Sequence, residues 1–197
     1  MKTLRARRAS LVTGSLIAVI VGFGAACSHT RNGAMAHQHC MKVTGTMFNL
    51  YASEHGGALP YHTNGFGDAL VLLAEGRPQD VAFLCGPGDD GRVLSNAVVQ
   101  GLHVAEEQCS RVYVQGLCKT NDPQICILFD RRSVRGGDHF YGTGKRVREV
   151  CLLDGSMQRV PDAKWPEFSR EQVDLLVAAG FRKEEALRYY PEALARR

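Results

Sequence analysis

The sequence predicts an α+β fold, with an N-terminal anchor and a long amphipathic helix packed on a small antiparallel sheet, and with a C-terminal helical hairpin. Three observations predict it: an uncharged apolar run near the start, a three-then-four apolar spacing over residues 32–55, and three strand-like runs followed by a hairpin signal before residue 160.

The start is basic (Lys2, Arg5, Arg7, Arg8) and is followed by the apolar run 11–26 and then Cys27. The run is near the length of a signal-peptide core and a little short of the ~20 residues that comfortably span a bilayer. Ala25-Ala26 meets the small-residue requirement of a lipoprotein processing site, which makes Cys27 the lipidation candidate, although Gly24 stands where such sites usually place Leu. Lipidation, an uncleaved single-pass anchor and plain secretion all stay open. In each case the basic residues remain cytoplasmic and the rest of the chain lies outside. The expected location is therefore the cell envelope, anchored to the membrane and facing the periplasm or the exterior. The chain divides into a signal or anchor segment (1–27), a stalk helix with its head (28–162) and a helical appendix (163–197).

The net charge of +4 is set by the anchor, because residues 1–26 hold four basic groups and no acidic one, leaving the rest balanced. A neutral exported domain has no electrostatic footprint for nucleic acid. The run Arg131-Arg132 to Arg135 reads as a solvated loop. What remains beyond the anchor is long enough for one domain with a real core.

In the stalk, Ala36, Cys40, Val43, Met47 and Leu50 follow the helical spacing, Phe48 and Tyr51 widen the stripe, and Gly56-Gly57 stops the helix. Val43, Met47, Leu50 and Tyr51 are the expected packing stripe. His37 and His39 point to different faces and form no shared metal site. A short helix over 67–76 follows, then a compact strand or extended segment at 80–85. The loop 86–91 offers Asp89 and Asp90 but lacks the alternating acidic spacing of a calcium loop, so it reads as a turn. Residues 110–115, 124–129 and 147–153 have strand character, and Asp154-Gly155 is a two-residue hairpin signal returning through 156–160. Near the end, Ser169-x-x-Gln172 reads as a capping box for a helix to Ala179, Gly180 closes it, and a second helix runs from Arg182 to Tyr190 with Pro191 as its stop. Trp165 reads as a packing anchor.

Seven cysteines are many for 197 residues. With Cys27 set aside, Cys40, Cys85, Cys109, Cys118, Cys126 and Cys151 are disulfide candidates in an oxidising compartment, with their pairing open. The Cys109 to Cys118 spacing suits a hairpin-closing bridge, and Cys40 with Cys85 would pin the stalk to a loop. No zinc-type cysteine spacing is present. The chain also lacks a nucleophile elbow, a zinc-protease helix, a phosphate loop and a dinucleotide fingerprint, so the expectation is a protein that is not an enzyme and takes no cofactor, metal or identified small-molecule substrate.

Read in order, Cys40-Met-Lys-Val with Leu50-Tyr-Ala-Ser-Glu-His-Gly-Gly-Ala-Leu-Pro60, Phe83-Leu-Cys85-Gly-Pro, Asp130, His139 and Val150-Cys-Leu-Leu-Asp154-Gly-Ser-Met-Gln-Arg-Val160 resemble the head of type II secretion pseudopilin G-like, type IV pilin-like proteins of the planctomycete type. The resemblance covers roughly residues 35–160. It departs at the prepilin peptidase site, where Arg8-Ala9-Ser10-Leu11 stands and no Glu follows to pair with a neighbouring subunit's N-terminus. The resemblance implies protein–protein association with other pilin-like or secretion-system subunits in an envelope assembly. The alternative is an exported lipoprotein that serves as a binding module outside any pilus.

Overall fold

The computed structural model describes residues 33–74, 84, 91–135 and 146–194. It is an α+β fold. Helix α1 (Gly33–Glu54) leads into a short α2 (Phe66–Leu72) and α3 (Gly91–Gln100); the strands β1 (Arg111–Tyr113), β2 (Cys126–Asp130), β3 (Val134–Arg135), β4 (Arg146–Leu152) and β5 (Met157–Pro161) follow, and α4 (Trp165–Ala178) and α5 (Lys183–Tyr189) close the chain.

All strand pairings are antiparallel. Val147 pairs with both Val134 and Pro161, and Val150 with both Phe129 and Gln158. β3 therefore continues the line of β2 along one edge of β4, and the five segments make four rows with β1 and β5 outermost. The β4–β5 connection is a three-residue loop rather than the expected two-residue turn. Leu152 donates its N–H to the Ser156 carbonyl at 2.9 Å, Gly155 donates to the Leu152 carbonyl at 2.9 Å, and Gly155 sits at φ 89°, a turn followed by a left-handed glycine.

Directly opposed residues of an antiparallel pair share a face. Tyr113 and Leu128 thus look to one side, and Val112 and Phe129 to the other. α1 covers the first side: Phe48 stacks on Tyr113 at 4.8 Å between ring centroids. A methyl group at Gly45 would stand 3.1 Å from the Cys151 sulfur, so glycine is what lets helix and sheet approach this closely. Its buried ridge is Met41, Thr44, Gly45, Phe48 and Ala52. The expected stripe lies beside that ridge and meets the core only in part. Met47 is buried, Val43 and Tyr51 pack at its margin, and Leu50 is only partly covered. The ridge follows small residues, which a count of apolar side chains passes over.

The second side is covered by the C-terminal helices. Trp165 and Tyr190 pack on Phe129 at 5.2 and 4.9 Å between ring centroids, and Trp165 is the anchor of this layer. The register of β2 against β4 shifts between Cys126 and Leu128. The Cys126 peptide groups are met by the helices: its N–H donates to Gln172 Oε1 at 2.7 Å, and its carbonyl accepts from the Tyr190 hydroxyl at 3.1 Å. Gln172 Nε2 also donates to the Gln124 carbonyl at 3.2 Å. The capping-box expectation is corrected here. α4 starts a turn earlier, with proline in its first turn as its start signal, while Ser169 and Gln172 lie buried inside it. Gly180 does close it, at φ 98°.

The expected anchor at 1–27 with Cys27, Cys85, the loop 86–90 and, apart from Leu84, the extended segment 80–85 lie outside the described residues, as does the side chain of Cys40. Among the described residues no helix is long and apolar enough to cross a membrane.

Two substitutions test this layering. Phe48→Ala is expected to lower unfolding free energy by about 3–5 kcal/mol, and Gln172→Leu, which orphans a buried N–H, by about 1–3 kcal/mol. Exposed Lys42→Ala should stay within about 0.5 kcal/mol, all read from urea melts.

Candidate functional site

Where the C-terminal layer stops short of the sheet edge, an open cavity of about 750 Å³ remains. Its floor is Val112 and Phe129, the opposed pair on the second face. One wall is the stretch from Tyr61 to Phe66 together with His103 and the tight turn Glu106–Gln108; the other is the Gly180-Phe181 turn with Arg188, Tyr189 and Glu192.

The first wall is held by close packing at two glycines. Gly65 lies at φ 124°, and a methyl there would come within 2.6 Å of Glu106 Oε1, the oxygen that accepts the Phe66 N–H at 3.0 Å. A methyl at Gly67 would stand 2.2 Å from the Val104 carbonyl oxygen. Asp68, in the first turn of α2, joins these pieces. Its Oδ1 accepts the Val104 N–H at 2.7 Å, and its Oδ2 accepts from His103 Nδ1 at 2.8 Å and from Asn64 Nδ2 at 3.1 Å. Burial pushes the Asp68 carboxyl up, but the Val104 N–H, His103 and Asn64 together hold it below the usual carboxylate value. An ionised carboxylate only accepts, so the His103 Nδ1 facing it carries a proton and donates. The imidazole is oriented, 56% exposed and on the cavity wall. His62 Nδ1 stands 3.4 Å from the same Asp68 oxygen and accepts the Asn64 N–H at 3.2 Å.

Arg131 lies in the run expected to be a solvated loop, yet it is half-buried. Its Nε and Nη2 donate to the carbonyls of Cys109 at 3.1 Å and Glu106 at 2.8 Å, and its guanidinium lies 5.9 Å from the centre of the Phe66 ring. Arg132 is exposed, and Arg135 belongs to β3. Arg148 lies 4.3 Å over the Trp165 ring and donates to Glu192 at 3.2 Å. The arrangement offers aromatic faces, fixed guanidinium groups and one oriented imidazole: hydrogen-bonding and stacking chemistry for a bound molecule. Among the described residues no hydroxyl or thiol is hydrogen-bonded to His103, and no group of three or more His, Cys, Asp or Glu could hold a metal ion.

Asp130, one of the residues behind the resemblance, lies on the opposite face. It sits 3.6 Å from Arg111 Nε, both side chains fully buried, and accepts the Glu149 N–H at 3.1 Å. Arg159 Nε donates to Glu149 at 3.2 Å; burial first and the Asp130 charge second push the Glu149 carboxyl up. This cluster is part of the packing beside the α1 layer.

Of the disulfide candidates among the described residues, Cys118, Cys126 and Cys151 are free thiols, and Cys109 is not bridged to any of them. The hairpin-closing Cys109–Cys118 bridge is not formed. Between them the chain runs out as β1, at about 3.3 Å per residue, instead of folding back, whereas a disulfide needs its Cα atoms within about 7 Å. Cys118 instead bonds Thr120 Oγ1 at 2.8 Å, beside the isolated bridge to Ala58. Burial pushes the Cys126 thiol far up and the Cys151 thiol up to about 12, while the Thr120 hydroxyl lowers Cys118. Thiolates are the reactive form, so the two sheet thiols are shielded from oxidation by their burial.

Compared with known proteins, the chain matches no family model, no curated protein and no solved structure.

Among Cys118, Cys126 and Cys151, iodoacetamide at pH 8 is expected to label Cys118 first and to reach the other two only in urea, read by peptide mass. Asp68→Asn should destabilise the fold by about 1–3 kcal/mol at neutral pH. Because the folded carboxyl is held below its unfolded value of 3.8, the stabilisation it contributes is present above that pH and fades as the pH falls through the folded value. The wild-type and Asp68→Asn melting curves should therefore converge in strong acid.

Proposed function

We propose that this chain is a non-enzymatic, membrane-anchored extracytoplasmic protein with a pseudopilin-like head, which works by protein–protein association in an envelope secretion or pilus-like assembly. The observation that carries this reading is α1. A 22-residue helix follows the apolar segment and lies along one face of a small antiparallel sheet, where the resemblance expects the stalk. The flank bearing Val43 and Leu50 is only partly covered, which leaves an apolar margin for lateral packing. Membrane and neighbouring secretion-system subunits are the partners in this reading; nucleic acid is not.

A second reading, the exported lipoprotein binding module, is favoured by one observation. The cavity over Val112 and Phe129 is open and walled by aromatic and hydrogen-bonding side chains, an arrangement that helix-mediated assembly does not require.

The intact mass of the membrane-extracted protein is the first test, with a chain beginning either at Met1 or at an acylated Cys27 as the expected result. A water-soluble, cleaved and unmodified chain would refute anchoring. Leu50→Asp, on the partly covered flank, should keep the wild-type melting temperature and reduce co-purification of inner-membrane secretion components at least about fivefold, as expected for burying an unpaired charge in a contact. Undiminished co-purification would remove the packing role of the stalk.

A further inference from the structure

We propose that the cavity is a binding site for a neutral oligosaccharide. The inference rests on the binding-module reading and names the ligand class of that same cavity. Volume comes first. At about 750 Å³ the cavity falls within the roughly 300–1,000 Å³ typical of small-molecule sites.

Charge comes second. The lining mixes arginines with a similar number of glutamates, and Arg148 is already paired with Glu192, so the site has no strong field of either sign to select a highly charged molecule. Its polar groups are planar and rigidly held. Arg131 is fixed by two backbone carbonyls, and His103 by Asp68. Asn64 and Gln115 line the same space and are held too, Asn64 by its bond to Asp68 and Gln115 by accepting the His62 N–H at 3.2 Å. Adjacent hydroxyls on a sugar ring act as paired donors and acceptors, which such planar groups match without reordering.

The third observation is Tyr61. It stands at the cavity with 59% of its surface exposed, an aromatic face with no packing role that explains its exposure. A pyranose presents a polar rim and an apolar C–H face, and the latter stacks on a ring of this kind.

An extended peptide fits less well. It would seek an apolar anchor pocket or a free strand edge. The apolar floor is sealed, with Val112 and Phe129 at 7% and 2% exposure. Just past β1 the chain is already paired with the segment after α1, the Leu59 N–H donating to the Leu117 carbonyl at 3.0 Å and Ala58 bridging to Cys118.

Trp165 is the only tryptophan and lies against Arg148, a cavity residue, so its fluorescence reports occupancy. The test titrates the detergent-solubilised full-length chain with chitotetraose, cellotetraose and maltotetraose, following fluorescence and calorimetry. At least one should bind saturably, Tyr61→Ala should weaken it about tenfold, and Tyr61→Phe should retain it, all three proteins melting at the same temperature. Failure of all three sugars, binding unchanged in Tyr61→Ala, or saturation only by a peptide would overturn the proposal. Sugar binding is read on the purified chain and anchoring on intact mass, so either can fail without the other.

Discussion

β2 is buried along its whole length, and the layers on either side follow from that. All five of its residues are covered, so neither face of the sheet at this strand can meet water. A half-buried antiparallel strand alternates apolar and polar side chains, whereas Cys126-Ile-Leu-Phe is continuously apolar and needs cover on both sides. α1 supplies one cover through Phe48 and the close approach at Gly45. The C-terminal helices supply the other through Trp165 and Tyr190. Burying such residues is worth roughly 1.5–3 kcal/mol each, so the loss of either cover exposes a large part of the core at once.

The register shift at Cys126 ties the second cover down. Dispersion contacts alone would allow the C-terminal helices to slide over the sheet. Two hydrogen bonds with the backbone of one residue fix their position in both directions: Gln172 accepts the Cys126 N–H and Tyr190 donates to the Cys126 carbonyl. That position decides where the layer ends, and its end is the far wall of the cavity. Sheet irregularity, helix placement and cavity shape are therefore one connected feature. The near wall is fixed independently by Asp68, which joins α2 to the segment at His103 and Val104.

The elements of the fold were largely legible in the sequence, and the site was not. Strand alternation, the apolar run of β2, the glycine stops at Gly56 and Gly180 and the stalk periodicity all reflect local constraints, and each corresponds to an element in place. Phase was harder to read. The contact ridge of α1 includes Thr44 and Gly45, whose importance is steric, so a hydrophobic count centred the stripe on Leu50 and gave Phe48 only its margin. Ser169-x-x-Gln172 has the form of a cap, but Gln172 is spent on β2, a partner 46 residues away. The cavity joins residues from Tyr61 to Glu192, and the Asp68–His103 pair spans 35 positions. No local pattern marks such juxtapositions. Gly67 was visible only as the start of a short helix, and the Val104 carbonyl it accommodates was not.

The placement of Gln172 and Tyr190 also orders events during synthesis. They follow Cys126 by 46 and 64 positions, so a growing chain that has completed all of its strands still lacks one cover for β2 and the partners of the Cys126 N–H and carbonyl. Such an intermediate presents an apolar sheet face to solvent, the kind of surface on which incomplete chains associate. A chain cut short before Trp165 would hold every strand of the sheet and still be a sticky, half-roofed species. The last helices are in this sense the step that takes this sheet face out of reach of such association.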